Sequence, residues 1–370
     1  MLGHISRRLF RLALILWVVS ILTFLMMELI PGDPVANVYG DTATPEQIAH
    51  LRSQLGLDQP LVTRYLNWAS GVLRLDFGQS LLPPVNDVSK IMAASLPVTL
   101  QLSLMAVLMS LCIGLPMGAI AAYFEGTAFD RMISGISFGM LSLPSFVAGL
   151  LLINLLVFNI TLSRWLLLGA GALVTGALLR TLWQMRGGLE KPQLGALLSL
   201  LPLGVGVLLW LTLPAFPRQG WVPISKSLTE NLRHAFLPAL TMAISVIPLY
   251  AQLLRSDMQS TLRQNFIMIA RAKGATPLQI VLREALRPSL FSLVTVAALS
   301  FGTLLAGSVI VETIFNLPGL GKVVVNAIIL SDYIIVQTGV LIAATIFVLL
   351  NAAVDLTYVL LDPRIRRAAD

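Results

Sequence analysis

Long stretches without a single charge dominate this chain, and they leave few folds open to it. Leu96–Phe124, Met132–Phe158 and Leu290–Val311 contain no Asp, Glu, Lys or Arg. A helix needs about 20 mostly apolar residues to cross a bilayer, whereas a run of 10–14 is more often a buried core helix. Five further apolar runs lie near 9–30, 165–183, 194–214, 235–254 and 333–361, giving eight candidate spans. Composition agrees: 56% of residues are hydrophobic and 12% charged, against about 25% charged in an ordinary soluble domain. The expected fold class is therefore an all-α integral membrane protein, a polytopic helix bundle. The first run starts from basic residues as a signal peptide would. Its apolar stretch is longer than a usual h-region, and it ends in Glu28-Leu-Ile-Pro-Gly-Asp-Pro34 without a small-residue cleavage site, so an uncleaved helix is expected over 1–30.

The basic residues orient these spans, because cytoplasmic loops collect Lys and Arg. Arg7, Arg8 and Arg11 stand at the start of the first span. Placing that end in the cytoplasm puts Arg131, then Arg186 and Lys191, then Arg255, Arg263, Arg271, Lys273, Arg283 and Arg287, and finally Arg364, Arg366 and Arg367 on the same side. Eight spans with both termini cytoplasmic satisfy the rule. The net charge of +7 is then a topology signal, not a mark of nucleic-acid binding. Few charges lie within the spans, which disfavours an ion-coupled carrier, since such carriers need ionisable groups near mid-membrane. Gln101 and Asn351 are polar candidates for the pathway, with interhelical hydrogen bonding the commoner role for such groups. Prolines 116, 144, 202, 238 and 248 are expected to interrupt several spans.

Two regions outside the spans have a local pattern. Residues 31–95 form an external segment. It holds a helical pattern from Pro45 to Gly56 with Thr44 as N-cap, then apolar residues at helical spacing over Leu61–Leu75, with Tyr65 and Trp68 among them. Short amphipathic helices on the outer membrane face are expected there. Residues 255–288 form the largest cytoplasmic loop. Gln264–Lys273 reads as a short helix ended by Gly274. Thr276-Pro-Leu-Gln279 restarts a helix, with Thr as N-cap, Pro at the first position and Gln closing a capping box. A solvated tether between two spans would also suit such a loop.

At this loop the residues resemble a known family. Ala270-Arg-Ala-Lys-Gly274 followed by Ile280-Val-Leu-Arg-Glu-Ala-Leu-Arg287 is similar to the cytoplasmic EAA loop of ABC importer permeases, in the form of the dipeptide/oligopeptide (DppB/OppB-type) branch. Further matches follow in order: Leu29–Pro34; Leu55–Pro60 with Tyr65-Leu-Asn-Trp68; Leu143-Pro-Ser-Phe146; Val311–Gly321; and Asp362-Pro-Arg-Ile-Arg366. The resemblance implies a type I importer permease domain over 96–361 and a short cytoplasmic tail, 362–370. It implies that Ala270, Arg271, Ala272, Lys273 and Gly274, with Glu284 beyond them, couple the chain to a separate ATPase. Arg271 and Lys273 also serve the plainer purpose of positive-inside charge. The implied partners are a second, related permease (DppC/OppC-like), two ATP-binding subunits, an extracytoplasmic substrate-binding protein and membrane lipid, in a bacterial inner membrane. Peptides head the implied substrates, with nickel chelates, glutathione or sugars also within the branch.

The chain departs from the family pattern in two ways. Met268 and Glu284 stand where the general pattern has glutamate and the branch often has histidine. Residues 159–217 add two apolar segments to the usual six spans; the first is marginal, with a clean apolar core only from Leu166 to Leu179. No cofactor is expected. The single cysteine, Cys112, and the scattered His4, His50 and His234 form no metal pattern. Gly319-Leu-Gly-Lys322 is a fragment of a P-loop, with Asn316 and Val323 in place of its first glycine and its Ser/Thr. It reads better as a Pro-Gly turn, so ATP is expected to bind partner subunits only. A solitary ion-coupled carrier and a membrane scaffold or enzyme are the rival readings.

Overall fold

Each apolar run read from the sequence forms helix over most of its described length, with breaks at 142–144 and 245–246. The computed structural model describes residues 2–28, 52–53, 58–81, 85–184 and 200–361. In chain order come α1 (Leu2–Glu28), α2 (Leu61–Leu73), α3 (Val88–Tyr123), α4 (Ala128–Leu141), α5 (Ser145–Ile153), α6 (Ile160–Gln184), α7 (Leu201–Thr212), α8 (Leu228–Ile244), α9 (Ile247–Leu262), α10 (Asn265–Ala272), α11 (Pro277–Ile314), α12 (Leu320–Ile329) and α13 (Tyr333–Leu361). α5 runs on into a π-helical turn, Asn154–Phe158, and α11 contains another, Ile280–Ala285. The helix expected over Pro45–Gly56 lies outside the described residues, apart from the helical pair 52–53.

Among the described residues, four helical stretches are long and apolar enough to cross a membrane: α3, Ile160–Arg180 of α6, α11 and Tyr333–Ala353 of α13. Two bent pairs raise the number to six, α4 with its continuation Ser145–Phe158 at 102° and α8 with α9 at 52°. The apolar parts of α1 (Phe10–Met26) and α7 (Pro202–Thr212) are shorter. The expected third span, 132–158, is therefore two helices meeting at Ser142–Pro144. Pro144 caps α5, and its ring excludes the residue before it from helical geometry. Of the other prolines expected to interrupt spans, Pro248 follows the α8–α9 break and Pro202 opens α7. Pro116 and Pro238 sit within continuous helices, as membrane helices permit when neighbours satisfy the freed carbonyls. Two helices also start earlier than hydropathy indicates, α3 at Val88 and α11 at Pro277. Hydropathy marks where the bilayer would end, not where the helix does.

The chain divides into two units. One comprises residues 1–101, 301–313 and 317–370. In it Val88 and Met92 of α3 pack with Leu320 and Ala327 of α12 and with Ile335 and Val336 of α13. α1 packs on α13, and α2 docks on α1 through an aromatic trio. Phe24 meets Tyr65 edge-on at 5.5 Å and Trp68 at 5.7 Å, and the Ser20 and Tyr65 hydroxyls are 2.8 Å apart. The amphipathic helix read from Leu61–Leu75 is thus present and anchored by the aromatics singled out in the sequence.

The other unit comprises residues 102–300 and 314–316. Here α3 and α9 approach closely: a Cβ on Gly118 would lie 2.6 Å from the Ala251 carbonyl oxygen. Ala122 packs with Leu254, Met258 and Ala285. The added segment 159–217 contributes the pair α6 and α7. A Cβ on Gly171 would meet the Pro202 carbonyl at 2.6 Å, and Leu203 N–H donates to Thr175 Oγ1 at 3.1 Å. Trp165 and Trp210 stack edge to face at 5.6 Å. Small residues at such crossings let backbones touch where no hydrophobic drive exists between helices. α6 reaches 25 residues although its sequence looked marginal, and near its start Arg164 donates to the Leu213 carbonyl at 2.8 Å. Val174, Ala177 and Leu178 of α6 then pack against Ala121, Phe129 and Ile133.

Candidate coupling surface

The loop between α9 and α11 is built by local chemistry. α10 ends in a complete Schellman motif: the Gly274 N–H donates to the Arg271 carbonyl at 2.9 Å and the Ala275 N–H to the Ala270 carbonyl at 3.1 Å. That closure needs a left-handed residue, and Gly274 has φ +80°. A Cβ there would meet nothing within 4 Å, so the requirement for glycine is conformational, not steric. Two residues on, the capping box is formed in full. The Thr276 N–H donates to Gln279 Oε1 at 2.9 Å, and the Gln279 N–H donates to Thr276 Oγ1 at 3.4 Å, with Pro277 at the first position.

The surface so displayed is apolar with a basic border. In α10 only Ile267 is buried; Phe266, Met268 and Ile269 are exposed, as are Leu278 and Leu282 of α11. Arg271, Lys273, Arg283 and Arg287 are exposed around them. Exposed apolar side chains on a span face lipid, but on a charged loop they are candidates for contact with a partner. The structure gathers Ala270, Arg271, Ala272, Lys273 and Gly274 into the closing turn of α10. Glu284 is apart from that turn, half-buried in the π-helical turn on which α10 packs.

Behind this surface lies a set of polar links that sequence reasoning missed. Arg255 of α9 grips Asp130 with two hydrogen bonds, Nε to Oδ1 at 2.7 Å and Nη2 to Oδ2 at 3.0 Å. Asp130, itself 4% exposed, also accepts from the Gly126 N–H at 3.0 Å. Arg263 reaches Glu125 at 2.6 Å on the exposed rim. On the opposite side Ser292 donates to Asp257, and the Thr261 and Ser289 hydroxyls are 3.4 Å apart. Acids between two spans, on the face where Arg and Lys gather, were the available signal.

A second buried carboxylate lies near the end of α11. Glu312 is fully buried. Its Oε1 accepts from Thr99 Oγ1 at 2.6 Å and Ser308 Oγ at 2.9 Å, and its Oε2 accepts from the Lys322 N–H at 2.9 Å. Thr99 Oγ1 in turn accepts from the Leu320 N–H at 2.8 Å. The P-loop-like fragment Gly319–Lys322 is thus the first turn of α12, with its free N–H groups turned onto protein oxygens. A Cβ on Gly319 would fall 2.3 Å from the Glu312 carboxyl carbon, so both the glycine and the acid belong to one fitted cap. The turn itself is made by Asn316, φ +53°, and not by the Pro318-Gly319 pair. Asn tolerates the left-handed region better than most residues.

Bent apolar helices joined by a capped, exposed basic loop are the features of a polytopic helical membrane protein. The family model for the binding-protein-dependent transport system inner membrane component matches residues 114–367, and the model of its N-terminal region matches residues 1–103. The chain belongs to that family. It is 36% identical over 367 residues to a di/tripeptide transport system permease protein of Pseudomonas aeruginosa, covering 99% of each chain. It is 32% identical over 363 residues to a probable peptide ABC transporter permease protein of Sinorhizobium fredii, covering 98% of this chain and 99% of the relative. A dipeptide transport system permease protein of Escherichia coli is 32% identical over 349 residues, 94% of each.

Proposed function

We propose that this chain forms half of the translocation pathway of a peptide importer and is driven by separate ATPase subunits that dock on α10. The observation that carries this reading is the Schellman-closed, capping-box-flanked helix that presents Phe266, Met268 and Ile269 beside Leu278 of α11 within a basic border. A groove on an ATPase fits a short amphipathic helix of this kind. In this reading Ala270, Arg271, Ala272, Lys273 and Gly274 are the docking turn, with Glu284 shaping the π turn beneath it. The chain holds no nucleotide or other cofactor of its own. A second permease completes the pathway, two ATP-binding subunits power it, and an external binding protein delivers and selects the peptide. Eight spans put both termini in the cytoplasm, with the basic loops on that side. Residues 31–95 are then the external segment and 362–370 the cytoplasmic tail. An ion-coupled carrier would want a titratable group open to the pathway. Glu312 instead spends its oxygens on capping α12.

Copurification from native membranes tests the reading. A P-loop ATPase is expected to accompany the tagged chain and to be lost with Gly274→Pro, which breaks the docking turn. An ATPase that never copurifies, or one that stays bound to the variant, sinks it.

A further inference from the structure

α9 is held on two sides next to the coupling surface, and by more than packing. Arg255 and Arg263 lie eight residues apart, about 12 Å along the helix; Arg263 reaches the turn between α3 and α4, and Arg255 reaches the first turn of α4 just beyond it. Arg255 binds Asp130 through two nitrogens, and Arg263 binds Glu125. That turn is itself stiffened by Asp130, which accepts from the Gly126 N–H, and by Thr127, which caps α4 through the Asp130 N–H. Asp257 and Thr261, on another face of α9, meet Ser292 and Ser289 of α11. Ala122, Leu254, Met258 and Ala285 fill the space between these links. Just before α9 the chain bends by 52° at Ser245–Val246, where Val246 N–H is bonded to Ala243 and Pro248 offers no donor.

We infer that Asp130 and Arg255, seconded by Glu125 and Arg263, are positioning residues for energy coupling. They clamp the α3–α4 turn, the inner half of α9 and the base of α11 into one block, so a push received at α10 moves all three together about the 245–246 bend. The inference rests on the docking reading of α10. None of the four residues is on the docking surface. The geometry favours a transmitting role over a merely stabilising one. A pair that only added stability would need one contact, whereas two contacts spaced along α9 resist its rotation against the turn. A planar guanidinium held bidentate also fixes direction as well as distance.

The test uses the whole importer reconstituted with its partner permease, ATPases and binding protein. The variants are D130N/R255Q, which removes both charges and leaves neither unpaired, and E125Q/R263Q on the exposed rim. For D130N/R255Q the ATPases are expected to copurify as with the wild type and basal ATP hydrolysis to stay within about twofold, while stimulation by loaded binding protein falls roughly tenfold or more. For E125Q/R263Q a loss of stimulation of about threefold is expected. Peptide carried per ATP should fall in step. Stimulation unchanged in both double variants would overturn the clamp and leave the ion pairs as simple supports. The exposed pair decides the question even if the buried double variant assembles poorly. ATPase copurifying with the wild type and with both variants shows docking intact, so a loss of stimulation then belongs to the clamp and not to the docking turn.

Discussion

Asp130 and Glu312 are both buried carboxylates, yet their surroundings differ in kind. Asp130 faces a guanidinium, and its charge is balanced by the charge of Arg255. Glu312 is met by neutral donors, two hydroxyls and the N–H of a helix's first turn, where the positive end of the helix dipole also favours an anion. One acid depends on a partner of opposite charge 125 residues away; the other depends on dipoles and on two glycines shaped around it. The lesson is that a buried charge is made tolerable in two ways, and the two respond differently to the same substitution.

Neutralising Asp130 alone is the harshest probe of this difference. Asp130→Asn strands Arg255, and a loss of roughly 3 kcal/mol is expected because an uncompensated charge stays partly buried; thermal unfolding in detergent would measure it. A Gly319→Ala exchange comes next, costing about 2 kcal/mol, since the added methyl collides with the Glu312 carboxyl and the cap must open. Smaller again is Glu312→Gln, at about 1.5 kcal/mol: its oxygen can keep the Lys322 N–H while the hydroxyls of Thr99 and Ser308 rotate to accept from its amide. If Glu312→Gln proves costlier than Asp130→Asn, the distinction between the two sites fails. The least effect is expected from Arg263→Gln, below about 0.5 kcal/mol, because that pair is largely exposed and screened. The difference from wild type should vanish at high salt.

How much of this was legible beforehand depends on the range of the interaction. Thr276, Pro277, Gln279 and Gly274 were assigned cap and turn roles from sequence, and they hold those roles in the structure, because capping is settled within a few residues. The helical nature of the apolar runs was equally open to reading. The break at Ser142–Pro144 was not placed, since five prolines looked alike and only the surroundings decide which of them ends a helix. The partner of Arg164 in α6 was not legible either, since the Leu213 carbonyl lies beyond any local window. Glu312 and Thr99 are 213 residues apart, so the cap they build leaves no nearby trace in the sequence. The residues proposed to couple were singled out through a motif, and the loop's cap chemistry supplied an independent physical reason for the glycine. The clamp behind them had no motif to announce it.

The π-helical turn Ile280–Ala285 has a consequence for how α11 can be tuned. A π turn accommodates an extra residue within an otherwise α-helical ladder, and one residue is about 100° of rotation in an α-helix of 3.6 residues per turn. It therefore works like a spline cut into a shaft. The compass bearing of Leu278 is set independently of the bearing of everything past Leu286. A chain with such a joint can re-aim the loop end of α11 without re-threading the remainder of the helix.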